Sequence, residues 1–254
     1  MQVNTVIMDL MNTAVECTSG HPEVATARYL DSAHPGILRD VLDVVTEKCS
    51  WENRTKKGYQ TLHPHQVRED EYREAAEIVV KDLVYVPKPV KKTFDKLSRG
   101  LETVVTVSGL SRIMSELIKE YKLMSIVGDA EIITFGTKLP VDNDGYFEEK
   151  VEKIYGYEER EKIARTFRGN GISLVIGDNK SDINLGMVEI GSYGALIANW
   201  NRINRKGNLF CGRIIHLPVI ADQILGEAPS VYKWLTKGVD RGVQYEREIT
   251  PELA

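Results

Sequence analysis

The sequence has few cysteines, no long apolar run and no excess of basic residues. Its three cysteines are widely spaced among 254 residues and form no Cys-x-x-Cys pair, which favours a reducing, cytoplasmic compartment. No apolar run approaches the ~20 residues that a membrane span needs, and the first residues lack the basic and apolar segments of a signal peptide. The net charge of −4 argues against a nucleic-acid binder, which would present a basic face. Neither a membrane nor a nucleic acid is therefore expected as a partner.

The composition is ordinary for a globular protein. Hydrophobic residues make up 42% of the chain and charged residues 28%, so a large core can form without a disulfide staple. A length of 254 residues is long for one simple domain and short for two. We therefore expect one core domain that carries a large insertion.

Three short apolar runs each end in a polar residue. They are Val6 to Met8 before Asp9, Val104 to Val107 before Ser108, and Leu174 to Gly177 before Asp178. Such near-continuous β-branched runs are typical of buried parallel strands, and each is followed by helical sequence. Ligands of doubly wound sheets bind beyond the carboxyl ends of the strands. The sequence therefore predicts that the three polar residues meet at one edge of the sheet.

The long segment between the first two of these strands has a different character. Amphipathic patterns predict helices that begin at Pro22 and that cover Gly36 to Ser50 and Asp70 to Leu83. No comparably strong strand pattern occurs there. We interpret the chain as an α/β protein with a Rossmann-like parallel sheet core (residues 1–14 and 86–254) and an inserted, mostly helical cap (residues 15–85).

Weaker patterns complete the predicted core. Pro87 to Arg99 is predicted as a helix that ends at Gly100. Residues 131–147 contain an Asp-Gly pair and are interpreted as a short β excursion around a turn. Further strands are predicted at residues 195–198 and, more weakly, at residues 213–217.

Taken in order, four of these pieces resemble the haloacid dehalogenase superfamily. They are the apolar strand ending in Asp9-Leu10-Met11-Asn12-Thr13, the strand ending in Ser108-Gly109, the lysine-bearing helix over residues 158–167, and Gly177-Asp178-Asn179-Lys180-Ser181-Asp182. The helical segment after the first strand places the resemblance in the phosphoserine-phosphatase-like group. The resemblance covers residues 3–14 and about 101–200 and does not extend to sequence detail in the cap.

The resemblance implies a role for each matching residue. Asp9 would attack phosphorus and form an aspartyl-phosphate. Ser108, Gly109 and Lys162 would bind the phosphate, and Lys162 is preferred to Lys150 and Lys153 because those two precede the helix. The oxygen ligands that Mg²⁺ prefers would come from a set of four residues. They are Asp9, the backbone carbonyl of Met11, Asp178 and Asp182.

Met11 departs from the family pattern. The family's phosphatases carry an acid/base aspartate at this position, and a thioether neither donates a proton nor accepts one well. The leading hypothesis is therefore a Mg²⁺-dependent phosphohydrolase or phosphotransferase, weakened by Met11, that acts on a small phosphorylated metabolite. The alternative is a catalytically inactive binding or accessory protein of the same fold. Phosphoserine is not favoured as the substrate, because Glu16 is out of register with the acidic cap residue that would bind the amine.

Overall fold

The computed structural model describes residues 2–169, 171–178, 183–197 and 203–226. Their centre is a seven-stranded sheet with the strand order β5-β4-β1-β6-β7-β9-β8. The strands are β1 (Val3–Asp9), β4 (Thr103–Ser111), β5 (Glu131–Thr137), β6 (Ile172–Asp178), β7 (Tyr193–Ile197), β8 (Asn204–Lys206) and β9 (Leu209–Gly212). All neighbouring pairs are parallel except β8 with β9, an antiparallel pair at one edge.

Helices cover both faces of this sheet. They are α5 (Lys88–Leu97), α6 (Arg112–Ile118), α7 (Met124–Val127), α8 (Tyr157–Phe167), α9 (Ile183–Ile190) and α10 (Leu217–Leu225), with a π-helical turn at Lys119–Leu123 between α6 and α7. Side chains alternate between the faces of a strand, so Met8 of β1 packs in a cluster with residues of α5, α6 and α10. Ile7 packs on the other face with residues of α8 and α9. Burial on both faces explains the continuous apolar run in β1.

The insertion between β1 and β4 is mostly helical, as predicted. It contains α1 (Pro22–Leu30), α2 (Ile37–Thr46), α3 (Trp51–Gln60) and α4 (Glu69–Leu83). A short antiparallel pair, β2 (Glu16–Cys17) with β3 (Val84–Tyr85), joins the two chain segments that lead into and out of it. The expected fold class, a parallel α/β core with a helical insertion, is therefore confirmed. The exact division at residues 14/15 and 85/86 stays a prediction.

One predicted helix boundary and one predicted strand are wrong. The helix predicted over residues 36–50 ends at Thr46, and Ser50 instead caps α3, with its Oγ accepting from the backbone N–H of Asn53 at 3.3 Å. The strand predicted at residues 213–217 is a 3₁₀ turn (Ile214–His216) followed by α10. There the His216 ring accepts from the Arg213 backbone N–H at 3.1 Å and Pro218 occupies the first turn of α10, both of which favour a helix start.

The segment over residues 131–147 is only partly the predicted excursion. Its first half, β5, is an edge strand of the main sheet, parallel to β4. The predicted turn follows, with Val141 bridging Phe147 and Gly145 at φ 86°, a backbone conformation that favours glycine. The other weak predictions are confirmed, since Pro87 to Arg99 contains α5 and residues 195–197 lie in β7, whereas residue 198 lies outside the described residues. In the part of the chain that the structure describes, no helix is both long enough and apolar enough to cross a membrane.

Candidate active site

The strand register brings the three predicted polar residues to one edge of the sheet. Asp9 pairs with Val107 of β4, and Met8 pairs with Ile176 of β6. Ser108 and Asp178 therefore each lie about one residue beyond Asp9 on the strands that flank β1. All three are buried and line one cavity of about 340 Å³ between the sheet and the helical insertion.

Asp9 forms an ion pair with Arg160 inside this cavity. Arg160 Nη1 lies 2.8 Å from Asp9 Oδ1, and the two residues are only 3% and 7% exposed. The guanidinium is held from two further directions, because its Nε donates to the Tyr155 carbonyl at 3.0 Å and its Cζ lies 5.6 Å from the Trp51 ring. Arg160 is thus a fixed positive charge beside the carboxylate at the end of the central strand.

Arg160 reaches this position because it lies on the buried face of helix α8. Arg160, Ile163 and Ala164 are its buried residues, a spacing that places them on one helix face. Lys162 lies on another face, where its side chain is 72% exposed and its Nζ is 3.8 Å from Glu158. The structure therefore brings Arg160, and not Lys162, to Asp9. The apolar spacing of α8 was the sequence signal that could have identified Arg160.

Ser108 and Gly109 form the second wall of the cavity. Ser108 Oγ accepts from the Leu110 backbone N–H at 3.0 Å, near the end of β4, where the register with β5 shifts between Val107 and Ser111. Trp51 of α3 packs so closely on Gly109 that a Cβ there would lie 2.2 Å from the indole. Any larger residue at position 109 would collide with this indole unless the Trp51 ring moved. The absence of a side chain at Gly109 therefore lets the cap close over the phosphate-binding residues predicted from the sequence.

Glu23 of α1 is a partly buried carboxylate that links the cap to the core. Its Oε1 accepts from the Tyr59 hydroxyl at 2.6 Å and from the Ser111 backbone N–H at 2.9 Å, and its Oε2 accepts from the Tyr72 hydroxyl. Burial, and then the Glu23 charge, raise the pKa of Tyr59 and of Tyr72 well above 10, so both stay protonated donors. Sequence analysis missed Glu23, because its partners come from three separate elements.

Two further cap residues face the cavity. His21 lines the cavity and is also exposed to solvent, and the protein atoms packed around its ring lower its pKa. Its Nδ1 accepts from the Glu23 backbone N–H at 3.3 Å, which leaves the proton of the neutral ring on Nε2. Arg54 donates through Nη2 to the carbonyls of Glu47 and Cys49 at 3.2 and 3.3 Å. Its buried Nε has no hydrogen-bond partner among the described residues.

Comparison with known proteins rests on structure alone. No protein-family model and no curated protein matches the sequence. A phosphoserine phosphatase solved as a phospho-aspartyl intermediate analogue matches with a TM-score of 0.56 at 18% identity, covering 78% of this chain and 87% of that one. A probable phosphoserine phosphatase from Vibrio cholerae gives 0.57 at 14% identity, with 88% and 67% coverage. A HAD family hydrolase from Salmonella enterica serovar Typhi gives 0.55 at 13% identity, with 77% and 62% coverage.

The chain has the fold of the haloacid dehalogenase (HAD) superfamily. The resemblance inferred from four sequence motifs is thereby confirmed at the level of the fold. Within this HAD fold, Asp9 ends the central strand, Ser108 lies on one neighbouring strand and Asp178 on the other.

The HAD-fold site has the donor chemistry that a magnesium ion requires. Asp9 and Asp178 are two buried carboxylates on adjacent strands that line the same cavity, and oxygen ligands suit Mg²⁺. Met11 lines the cavity as well, in a turn that continues through Asn12 at φ 58°. Asp182, the fourth predicted ligand, lies outside the described residues. Among the described ones, no three His, Cys, Asp or Glu side chains form a metal-binding group, so the Mg²⁺ site stays a prediction.

Proposed function

We propose that this chain transfers the phosphoryl group of a small phosphorylated metabolite to Asp9 and then to water or a second acceptor. The observation that carries the proposal is the Asp9–Arg160 ion pair, buried at the carboxyl end of the central strand and open to a ligand-sized cavity. A cytoplasmic location is part of this proposal, and the three widely spaced cysteines, which form no Cys-x-x-Cys pair, support it.

In the first step, an Asp9 carboxylate oxygen attacks phosphorus. The new O–P bond forms as the bond from phosphorus to the substrate's alcohol oxygen breaks, which leaves an aspartyl-phosphate. Arg160 holds Oδ1 of Asp9 at 2.8 Å and so fixes the orientation of the nucleophile. A guanidinium group suits phosphoryl oxygens, because its planar fork can donate to several oxygens at once.

Ser108 and Gly109 complete the proposed phosphoryl pocket. Ser108 Oγ accepts a hydrogen bond from Leu110, so its own O–H is directed to another acceptor, which we assign to a phosphoryl oxygen. Bound Mg²⁺, held by Asp9, Asp178, Asp182 and the Met11 carbonyl, would supply positive charge that stabilises the transferring phosphoryl group.

Met11 limits both steps. Its thioether provides neither the proton for a departing alcohol nor the base for an attacking water. General acid–base catalysis is typically worth ~10²–10⁴-fold. We therefore expect slow hydrolysis of alkyl phosphates, faster reaction of aryl and acyl phosphates, and accumulation of phospho-Asp9.

A panel of phosphate esters assayed with and without Mg²⁺ tests the proposal. Acid-quenched samples are analysed by peptide mass spectrometry for a phosphoryl group on Asp9, with Asp9→Asn as the control. The expected result is Mg²⁺-dependent turnover of activated phosphates together with phospho-Asp9, both absent in the control. Binding of phosphate and Mg²⁺ without any turnover or phosphoenzyme would replace this proposal with a binding or accessory role.

A further inference from the structure

The cavity continues from the proposed phosphoryl pocket into the helical insertion, where its walls become apolar. We call this part the apolar chamber. It is lined by Val24, Ala27, Leu30, Val41, Val44 and Leu62. The whole cavity, about 340 Å³, is at the small end of the ~300–1,000 Å³ usual for ligand pockets. Beyond a phosphoryl group there is room for a short alkyl chain or one aromatic ring.

Helix α2 contributes apolar side chains to this chamber that stay partly exposed in the folded protein. Val41, Val44 and Val45 have the spacing of one helix face, and all three line the cavity. Only Val41 is buried, whereas Val45 is 44% exposed. Apolar surface that faces a concave site in this way is typical of ligand pockets, because a bound apolar group removes it from water.

The acidic cap residue that lines the cavity, Glu23, already accepts hydrogen bonds from the protein. Glu23 accepts three hydrogen bonds, from the hydroxyls of Tyr59 and Tyr72 and from the backbone N–H of Ser111. A carboxylate has about four acceptor sites, so little capacity remains for a substrate ammonium group. His21 has a lowered pKa and presents a neutral ring. This part of the cavity is therefore poorly suited to the amine of an amino-acid phosphate.

We propose that the apolar chamber binds an alkyl or aryl group of the substrate, so that the phosphorylated metabolite is the ester of an apolar alcohol. This inference rests on the proposed function, because it assigns the phosphoryl end of the same ligand to Asp9, Ser108 and Arg160. The apolar chamber then determines which substrate binds, and the residues at the edge of the sheet carry out the phosphoryl transfer.

Gly58 offers a way to fill the chamber without disturbing the fold. It lies on α3, lines the cavity, and a Cβ at this position would meet no atom within 4 Å. Gly58→Leu therefore places an apolar side chain in the open space, and replacing a helical glycine also favours the helix. Asn53→Leu adds the same side chain to an exposed position of the same helix and is the matched control.

The probes are straight-chain alkylphosphonates from methyl to hexyl. Their P–C bond is not broken by the proposed phosphoryl transfer, so they bind without reacting. Their Kd values are measured by calorimetry in Mg²⁺ for the wild type, Gly58→Leu and Asn53→Leu. We expect Kd to fall about fourfold per added methylene until the chamber is full, from the transfer free energy of a buried CH₂. Gly58→Leu should abolish this gain while leaving methylphosphonate affinity unchanged, and Asn53→Leu should behave as the wild type.

Three results would overturn the inference. The first is a Kd that does not change with chain length in the wild type. The second is equal weakening of the methyl and hexyl ligands by Gly58→Leu. The third is tighter binding of 3-phosphonopropionate than of propylphosphonate, which would mean that Arg54 selects a carboxylate instead. If no phosphonate binds, the proposed function fails, and the apolar chamber is tested separately by the Tm shift that 1-hexanol causes. A higher Tm in the wild type but not in Gly58→Leu would support the chamber. No increase in the wild type would overturn it.

Discussion

Replacing Arg160 with methionine should leave Asp9 as a buried carboxylate without its cationic partner. The two side chains of the pair are only 4% and 10% exposed, and the N–O distance is 2.8 Å. Unit charges about 4 Å apart interact by ~4 kcal/mol at an effective dielectric constant near 20. Loss of one partner of such a pair typically costs ~3–5 kcal/mol.

We expect the low end of that range, because water in the cavity can solvate Asp9 in the variant. A loss of about 3 kcal/mol corresponds to a decrease in Tm of roughly 6–12 °C for a chain of this size. Lys162→Met on the same helix is the control. Its side chain is 72% exposed, so its loss should change stability by no more than ~0.5 kcal/mol.

A double-mutant cycle separates the ion pair from other effects of the substitutions. Urea unfolding of the wild type, Asp9→Asn, Arg160→Met and the double variant, in the presence of a chelator, should give a coupling free energy of about 2 kcal/mol. A coupling below ~0.5 kcal/mol, or an equal loss of stability in Lys162→Met, would refute the assignment of Arg160 as the partner of Asp9.

Three other predictions follow from the same site. Saturating Mg²⁺, at 100 times its Kd, should stabilise the wild type by ~2.7 kcal/mol in thermal melts, and an equal gain in Asp178→Asn would contradict the proposed metal site. Met11→Asp should raise steady-state hydrolysis of an alkyl phosphate by ~10²-fold or more, and no increase despite intact folding would show that the missing carboxylate does not limit the reaction. Because burial raises the pKa of Tyr59 and of Tyr72 in the fold, only the unfolded chain ionises them as the pH passes about 10, so their contribution to stability is complete below pH ~10 and is lost above it. Urea midpoints between pH 9 and 11 should therefore fall less steeply in Tyr59→Phe than in the wild type, and equal slopes would contradict this.

Asp9, Ser108 and Asp178 could be predicted from the sequence because each comes directly after an apolar run that is buried on both faces of the sheet. Such strands are continuous apolar runs, and parallel strands end at the same edge of a sheet. The prediction therefore required only local patterns and the rule for parallel order. Where that signal was absent, the strand prediction was wrong, as at residues 213–217. There the Arg213 backbone N–H donates to the His216 ring, and Pro218 lies in the first turn of a helix.

The helix α3 shows a second limit of the sequence. Its residues are mostly polar and include few large apolar side chains, so it was not predicted. Its cavity face nevertheless carries Trp51 and Gly58, and its position depends on Trp51 packing against Gly109. A close contact between residues far apart in the chain leaves no local pattern.

The sequence by itself determined the parallel core, the helical insertion and the edge at which the polar residues meet, because periodicity and strand order follow from local chain geometry. The apolar spacing of α8 could indicate its buried face, but only the tertiary structure placed that face, and so Arg160, beside Asp9 and left Lys162 exposed. The tertiary structure also brought Glu23 to Tyr59, Tyr72 and Ser111. Such contacts depend on how separate elements pack, and that information is distributed over the whole chain.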